Sequence, residues 1–155
     1  MTENPRWIAD EMLGRLARYL RFFGHDTLYA RGWTDREIVR RAASETRIVL
    51  TRDRDVARRS PRALLLRTYA IGTQLEEVRR AFPSVPFVLT FDRCAECNAP
   101  LVVWEPGSGP PVPDGVAARR ASSGLAIWEC PECHRRFWEG SHTDRIRELV
   151  RGWLG

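Results

Sequence analysis

Short apolar runs separated by polar, helix-like stretches make up the first half of the chain. The runs cover residues 6–9, 25–30, 47–51 and 63–67, and each is too short for a helix. The third run, RIVLT, has an apolar centre rich in β-branched residues, which is typical of a strand buried on both faces of a parallel sheet. Strands and helices in regular alternation predict an α/β protein whose helices cover both faces of that sheet.

The segment that follows the first run has the clearest helical periodicity. Its apolar side chains recur at helical spacing along one side: Leu13, Leu16, Ala17, Leu20 and Phe23. Arg15, Arg18 and Arg21 lie three apart on the other side, where we expect a solvated face, and Gly24 is a stop signal. Because this helix begins directly after Asp10, some of these arginines are expected within reach of a phosphate bound near that acid.

Capping signals and spacing predict three further helices. Thr34 to Glu37 is a capping box that opens a helix to about residue 44, with Ile38, Val39 and Ala42 turned inward. A short helix is expected over residues 56–59. A second capping box, at residues 73–76, predicts the start of the last helix in this half of the chain.

The pattern changes at Pro83, after which prolines become frequent and all four cysteines of the chain occur. Cys94 and Cys97 form one C-x-x-C pair and Cys130 and Cys133 form another, with 32 residues between the two pairs. Two such knuckles supply the four thiolates of a tetrahedral zinc site, which can replace the core that a small proline-rich segment lacks. A redox pair is less favoured, because neither motif opens an αβ element, and disulfides are unusual in a reducing cytosol.

The elements around the second knuckle complete the chain. Residues 126–129 and 136–139 are predicted strands, and residues 107–124 are expected to be a mobile loop between the knuckles. A final helix over 144–153 carries an apolar stripe that could dock on the α/β unit. The predicted domains are an α/β domain at 1–85, a zinc ribbon at 86–142 and a C-terminal helix at 143–155.

The charge balance adds a candidate partner. The chain of 155 residues has 25 basic side chains, all of them arginine, and a formal net charge of +5. The planar fork of arginine grips phosphate with two hydrogen bonds, so a basic surface favours a polyanion, nucleic acid first. An ordinary solvated surface with a modest excess of charge is the alternative. No apolar run approaches the ~20 residues of a membrane span, and the N-terminus does not resemble a signal peptide, so we expect a cytoplasmic protein without a membrane partner.

Three aspartates are expected on one rim of the sheet, at strand ends or helix starts: Asp10, Asp35 and Asp53. Clustered carboxylates repel one another, so such a group is tolerable mainly around a divalent cation, and oxygen ligands suit Mg²⁺ or Mn²⁺. Two of these acids also have a structural explanation, since Asp53 can cap a helix and Asp35 suits the positive end of a helix dipole. Glu37 and Asp55 stand beside them as candidate additional acids. A divalent ion held there would activate water against a phosphodiester.

Several motifs, taken in order, carry a family resemblance: Asp10-x-MLGRLARYLRFFG, then Asp35, RIVLTRDRD, the first knuckle with its following Asn, WECPEC and WEGSH. Together they resemble the Mut-seven C-terminal ribonuclease family over nearly the whole chain, from about Trp7 to about His142. The resemblance implies a PIN-like three-layer α/β/α sandwich with a central parallel sheet, followed by a small zinc ribbon.

The same resemblance implies a metal-dependent RNase whose metal-binding acids fall on Asp10, Asp35 and Asp53. The knuckle ligands fall on Cys94, Cys97, Cys130 and Cys133. PIN nucleases commonly have a fourth acid in the site, which Glu37, Asp55 or neither supplies here. The helix Glu usual in PIN domains has no clear counterpart.

The prediction is therefore a ribonuclease, endonucleolytic, that acts on single-stranded RNA, with structural Zn²⁺ and catalytic Mg²⁺ or Mn²⁺. RNA contacts are expected from Arg15, Arg18, Arg52 and His142. Trp138 could stack a base, although an aromatic ring packed over a zinc ribbon is the commoner case. The alternative is a non-catalytic RNA-binding zinc-ribbon module, in which the acids serve only as helix caps.

Overall fold

A four-stranded parallel sheet forms the centre of the first half of the protein. The computed structural model describes residues 4–155. The strands are Arg6–Ala9 (β1), Thr27–Tyr29 (β2), Arg47–Thr51 (β3) and Ala63–Leu65 (β4). They lie in the order β2-β1-β3-β4, and every neighbouring pair is parallel. The predicted parallel sheet is confirmed, and β3 is buried at all five positions.

Helices cover both faces of this sheet. They are Gly14–Phe22 (α1), Asp35–Ser44 (α2), Arg54–Arg59 (α3), Ile71–Ala81 (α4) and, at the end of the chain, Ser141–Leu154 (α6). A short 3-10 helix, Glu11–Leu13, joins β1 to α1. The α2 capping box is confirmed, since Thr34 Oγ1 accepts from the Glu37 N–H while the Glu37 carboxylate accepts from the Thr34 N–H.

Alternating side chains of the strands form two separate cores, as in a three-layer sandwich. On one face Trp7 and Leu50 pack against Leu16 and Leu20 of α1, and against residues of α4 and α6. On the other face the intervening strand residues Ile8 and Val49 meet Ile38 and Ala42 of α2, and Val56 of α3. The sheet is thus covered on both faces, and its carboxyl edge is the side from which α1, α2, α3 and α4 depart.

Two predictions in this half of the chain are wrong. Helix α4 begins at Ile71, before the predicted capping box, and Thr73 Oγ1 donates to the Ala70 carbonyl inside its first turn. Arg21 is not on a solvated face but is 5% exposed. Its guanidinium donates to the carbonyls of Thr27, Ala95 and Glu96, which the distant chain brings against the end of α1.

The second half forms a smaller, antiparallel sheet. Its strands are Val102–Val103 (β5), Ile127–Glu129 (β6) and Arg136–Trp138 (β7), in the order β5-β6-β7. Between β5 and β6 the chain forms a helix, Asp114–Ser123 (α5). The prediction of a mobile loop at 107–124 is therefore wrong for residues 114–123, which are helical. Val116 on α5 packs against Trp104 and Ile127, and this apolar contact holds the helix on the sheet.

Helix α6 returns the chain to the first core. Ile146, Val150 and Trp153 pack with the buried residues of the face covered by α1 and α4. The approach to α4 is so close that a Cβ at Gly72 would lie 2.6 Å from the Trp153 ring. In the described residues, no helix has the length and apolarity that crossing a membrane requires.

Candidate active site and metal centre

At the carboxyl edge of the sheet, the hydroxyl of Thr51 bonds to the side chain of Asp10 and to the backbone of Asp53. Thr51, the last residue of β3, donates from Oγ1 to Asp10 Oδ2 at 2.6 Å and accepts from the Asp53 backbone N–H at 2.9 Å. Asp10 follows β1, the neighbour of β3, and is only 8% exposed. A carboxylate this deeply buried needs compensating donors, and the Thr51 hydroxyl and the Glu11 N–H supply them.

Asp53 is a helix cap, as one of its two interpretations predicted. Its Oδ1 accepts from the backbone N–H groups of Asp55 and Val56 at 2.7 and 3.1 Å, at the start of α3. Both bonds reach the same oxygen, and in the described part of the chain no donor bonds to Oδ2. Capping therefore leaves one carboxylate oxygen of Asp53 available to another ligand.

The three other acids lie further out, at the starts of α2 and α3. Asp35 begins α2, with its side chain 57% exposed and 3.9 Å from Arg59. Glu37 is engaged by the Thr34 cap, whose hydrogen bonds hold the pKa of its carboxyl below the ordinary value. Asp55 pairs with Arg58 at 2.8 Å on the exposed side of α3.

A compact group of metal-ligating side chains occurs in the second half. Within residues 4–155, the four cysteines alone form a set of three or more His, Cys, Asp or Glu groups whose ligand atoms all lie within 4.8 Å of one another. Asp10, Asp35 and Asp53 do not meet that distance as a trio. The sequence spacing thus located the cysteine cluster, and it placed the three aspartates along one edge without bringing all of them into contact.

The geometry of the cysteines suits zinc. Sγ of Cys94 lies 3.7 Å from Sγ of Cys133, and Sγ of Cys97 lies 3.1 Å from Sγ of Cys130. Four thiolates placed tetrahedrally at the Zn–S distance of ~2.3 Å are roughly 3.8 Å apart. All four cysteines are free thiols in the described structure. The residues present therefore fit a zinc ion.

The two knuckles have the same backbone form. Asn98 and His134 each follow the second cysteine of a knuckle, with φ of +72° and +60°. The N–H of each donates to the carbonyl of the first cysteine, Cys94 or Cys130. Asparagine and histidine are among the residues that enter this left-handed region most readily.

The surroundings of the thiols shift the pKa values of Cys97 and Cys130 in opposite directions. Burial and the neighbouring cysteines raise the pKa of Cys97 to about 12. Burial also opposes ionisation of Cys130, but N–H donors from Cys133 and Glu132 and the Cys97 thiol overcome it and lower the pKa of Cys130 to about 7. Four thiols this close favour a bound cation, which stabilises thiolates together.

Arginines line a groove that begins one turn from Asp10. The groove, about 590 Å³, is lined by Arg15, Arg18 and Arg31 together with the aromatic rings of Tyr29 and Trp33. Arg18 pairs with Glu96 of the first knuckle at 2.7 Å, and both side chains are partly exposed. We call this feature the arginine groove. It contains two of the four side chains predicted to contact RNA.

The other two predicted contacts lie apart from the arginine groove. The Arg52 guanidinium stacks over the ring of Tyr69 at 3.2 Å from its centroid, beside Asp53, and Tyr69 is 80% exposed. His142, in the first turn of α6, lines a second cavity, as does Trp138. Trp138 also packs with Ile127 in the ribbon core, so its predicted packing role is confirmed.

Thr51 is the residue of this site that sequence reasoning missed. The pattern predicts only that Thr51 ends a strand, whereas its hydroxyl bonds to the Asp10 carboxylate and to the Asp53 backbone N–H. Its position at the end of a central strand was the indication in the sequence. A hydroxyl at that position lies beside the residue that ends the neighbouring strand. Arg21 was missed for another reason, because its partners lie 74 and 75 residues away.

The fold and the two sites define an α/β protein that has carboxylates at its strand ends and a four-cysteine cluster capable of holding zinc. Comparison with protein families then gives the family: the model of the Mut7-C RNAse domain matches residues 5–150, nearly the whole chain, and the chain belongs to this family. Neither the curated proteins nor the solved structures gave a match. The resemblance in the sequence motifs is thereby confirmed, and the family description indicates a nuclease-like function.

Proposed function

We propose that this protein is a metal-dependent ribonuclease that cleaves phosphodiester bonds within single-stranded RNA. The observation that supports it best is the Thr51 hydroxyl, which bonds to the Asp10 carboxylate and to the Asp53 backbone N–H at the carboxyl edge of the parallel sheet. Ligands of open α/β sheets bind at this edge. Membership of an RNase domain family supports RNA as the substrate.

The donor set fits Mg²⁺ or Mn²⁺. Its oxygens come from carboxylates, which suit hard divalent cations, and Oδ2 of Asp53 is not used by the helix cap. Mg²⁺ usually takes one or two protein carboxylates and keeps several waters, so Asp10 and Asp53 suffice as direct ligands. Asp35, further out on the same edge, would act through water. When bound, such an ion activates a water molecule and neutralises charge on the phosphate.

The chain's own residues bind and orient the RNA. Thr51 fixes the carboxylate of Asp10 by a hydrogen bond from a buried position. Arg15 and Arg18, on the helix that starts beside Asp10, hold phosphates along the arginine groove. Arg52 and the exposed ring of Tyr69, on the other side of Asp53, offer a surface on which a base can stack.

The four cysteines are assigned structural zinc, one ion per chain. The ribbon has a small core of its own, around Trp104 and Ile127, and the cysteine cluster packs separately with Ala99. A bound ion would hold the two knuckles together at a place where few apolar side chains do so. In this role zinc maintains the walls of the arginine groove, since Ala95, Glu96 and Cys97 line it.

The test compares cleavage of a labelled single-stranded RNA with Mn²⁺ by the wild type and by Asp53→Asn. Asparagine caps helices as well as aspartate does, so the variant keeps the α3 start and loses only the charge. We expect cleavage to fall by at least about a hundredfold, as for loss of a group that stabilises the transition state. Asp114→Asn, an acid at the start of α5 in the ribbon, is the matched control and should cleave normally.

The alternative is a non-catalytic RNA-binding module. The specific observation in its favour is that Asp53 already has a complete structural role as a cap. This alternative is correct if the wild type binds RNA but releases no fragments with Mn²⁺ or Mg²⁺. Equal cleavage by the wild type and Asp53→Asn would instead remove Asp53 from the mechanism while leaving the nuclease.

A further inference from the structure

A second cavity, about 550 Å³, lies between the end of α1, the first knuckle, the ribbon sheet and the start of α6. Aromatic rings supply much of its lining: Phe22, Phe91, Trp128, Phe137 and Trp138. We call it the aromatic cavity. Its volume is within the range of pockets that bind small organic groups. The proposed cleavage site at Asp10 and Asp53 does not use it.

The aromatic cavity adjoins the arginine groove. Arg18, Ala95 and Glu96 line both, so the ion pair of Arg18 with Glu96 stands at the boundary between them. The side chains of this pair are 52% and 36% exposed, and an exposed pair of this kind contributes little stability. A phosphate could therefore take the place of Glu96 on the Arg18 guanidinium.

Helix α1 connects the two cavities to the proposed cleavage site. Its first residue, Gly14, lines the groove near Asp10, Arg18 lies at the boundary, and Phe22 lines the aromatic cavity. Eight residues of helix span roughly 12 Å. A strand that follows α1 from the acids would pass over arginines first and reach aromatic rings a few nucleotides later.

The walls of the aromatic cavity suit a flat ring with polar edges. Trp128 on β6 and Phe137 on β7 are direct cross-strand partners, so their rings lie on one face of the ribbon sheet. Trp128 is 36% exposed. Asp92, Arg93 and His142 supply hydrogen-bond acceptors and donors beside these rings.

We propose that the aromatic cavity receives a nucleobase of an RNA strand whose phosphates lie in the arginine groove. The proposal rests on the proposed function in taking RNA as the ligand, and it adds a second point of binding away from the cleaved bond. Charge supports this occupant over an apolar peptide or a lipid, because the adjoining groove is lined by Arg15, Arg18 and Arg31. Bases stack on aromatic side chains without sequence preference, and polar edge groups add selectivity.

The experiment measures binding of a fluorescent single-stranded RNA by anisotropy, without added Mg²⁺ or Mn²⁺, so that cleavage plays no part. Trp128→Ala should weaken binding by at least about fivefold, the effect of losing one stacked base, and Trp128→Phe should restore most of it. Ala126→Leu, which narrows the cavity from an exposed position, should also weaken binding. Val102→Ala is the control, since Val102 is 49% exposed on the opposite face of the same sheet.

An abasic scan of the RNA separates direct stacking from an indirect effect. Removing the base that enters the cavity should weaken binding to the wild type but add little to the loss in Trp128→Ala. Equal binding by the wild type, Trp128→Ala and Ala126→Leu would overturn the proposal, and so would a wild type that binds no RNA. Failure of the proposed function has a different signature, which is RNA binding without cleavage when Mn²⁺ is added.

Discussion

At the residue scale, the candidate active site depends on a hydroxyl group. Thr51 Oγ1 donates to the Asp10 carboxylate and accepts from the Asp53 backbone N–H, so a single side chain links one acid to the backbone of the other. Thr51 is completely buried, and water cannot replace it there without rearrangement. The neighbouring strands β1 and β3 bring the two acids to the same edge of the sheet, and Thr51 holds the Asp10 carboxylate in place there.

Thr51→Val tests this role, because valine keeps the shape of threonine and removes the hydroxyl. We expect cleavage to fall roughly tenfold to a hundredfold from misplacement of Asp10, and stability to fall by about 1–3 kcal/mol from its lost partner. Thr51→Ser keeps the hydroxyl and should retain cleavage. RNA cleavage with Mn²⁺ and urea unfolding provide the two measurements. Wild-type cleavage by Thr51→Val would show that the link is not needed.

His25 makes the stability dependent on pH. It is 1% exposed, its Nε2–H donates to the Pro86 carbonyl at 2.8 Å, and its ring stands edge-on to Phe87. Burial lowers the pKa of His25 below its ordinary value and outweighs the opposing effect of that carbonyl.

Below about pH 6.5 the unfolded chain binds a proton that the native His25 does not. The contribution of His25 to the free energy of unfolding should therefore be fully present above that pH. It should decrease as the pH falls toward the lowered native pKa. His25→Gln should be less stable at pH 7 but show a flatter pH dependence in urea titrations. Parallel curves for the two proteins would exclude His25 as the source of the pH dependence.

At the element scale, the end of α1 is joined to the first knuckle by Arg21. The guanidinium bonds to Ala95 and Glu96 at 2.8 and 3.0 Å, and burial lowers the pKa of Arg21 from its ordinary value. A second link comes from Asn98, whose side chain accepts from the Thr27 N–H on β2 and donates to Asp26. The knuckle is thus bonded to both a helix and an edge strand of the parallel sheet.

Arg21→Met should destabilise the protein markedly, since each buried carbonyl left without a donor costs roughly 1–3 kcal/mol. Arg18→Met, one turn earlier on the exposed side of α1, is the control and should change the free energy of unfolding by less than about 1 kcal/mol. Urea unfolding measures both. A similar small change in the two variants would contradict the structural role of Arg21.

How far the sequence predicts each element depends on where its partners lie. Helix α1 and strand β3 follow from local patterns, because the side chains that define them are neighbours in sequence. Helix α5 also had local signals, with Pro113 before it and Gly124 after it, yet its proline-rich surroundings favoured a loop. Arg21 has the right periodicity for an exposed position, but carbonyls from the distant knuckle bury it.

The same distinction applies to the candidate site. Strand ends and C-x-x-C spacing identify Asp10, Asp53 and the cysteines, because these signals occur within a few residues. The bond between Thr51 and Asp10 links residues 41 apart, and the aromatic cavity combines four separate segments. Such juxtapositions arise only from tertiary packing.

At the scale of the whole molecule, zinc is expected to maintain the ribbon and, through the knuckle contacts, to support the α/β unit. Elemental analysis should find one zinc per chain. A strong chelator should lower the melting temperature, because the ribbon unfolds when its metal is removed. Cys130→Ser should lose zinc, whereas His134→Asn, which keeps the left-handed turn beside the knuckle, should retain it. A metal-free protein that is fully folded would contradict the zinc assignment.

The packing of α6 on the face covered by α1 and α4 fixes the ribbon relative to the α/β unit, and with it the distance between the two proposed RNA contacts. The ribbon leaves this layer after α4 and rejoins it through α6, so it is anchored at both of its ends as well as by Arg21 and Asn98. Because the ribbon is attached at several points, its distance from the acids at the strand ends should stay constant. If a base is bound on the ribbon, the cleaved bond should lie at a constant number of nucleotides from it, and moving a single abasic position along an end-labelled RNA should reduce cleavage most at bonds one fixed distance from that position.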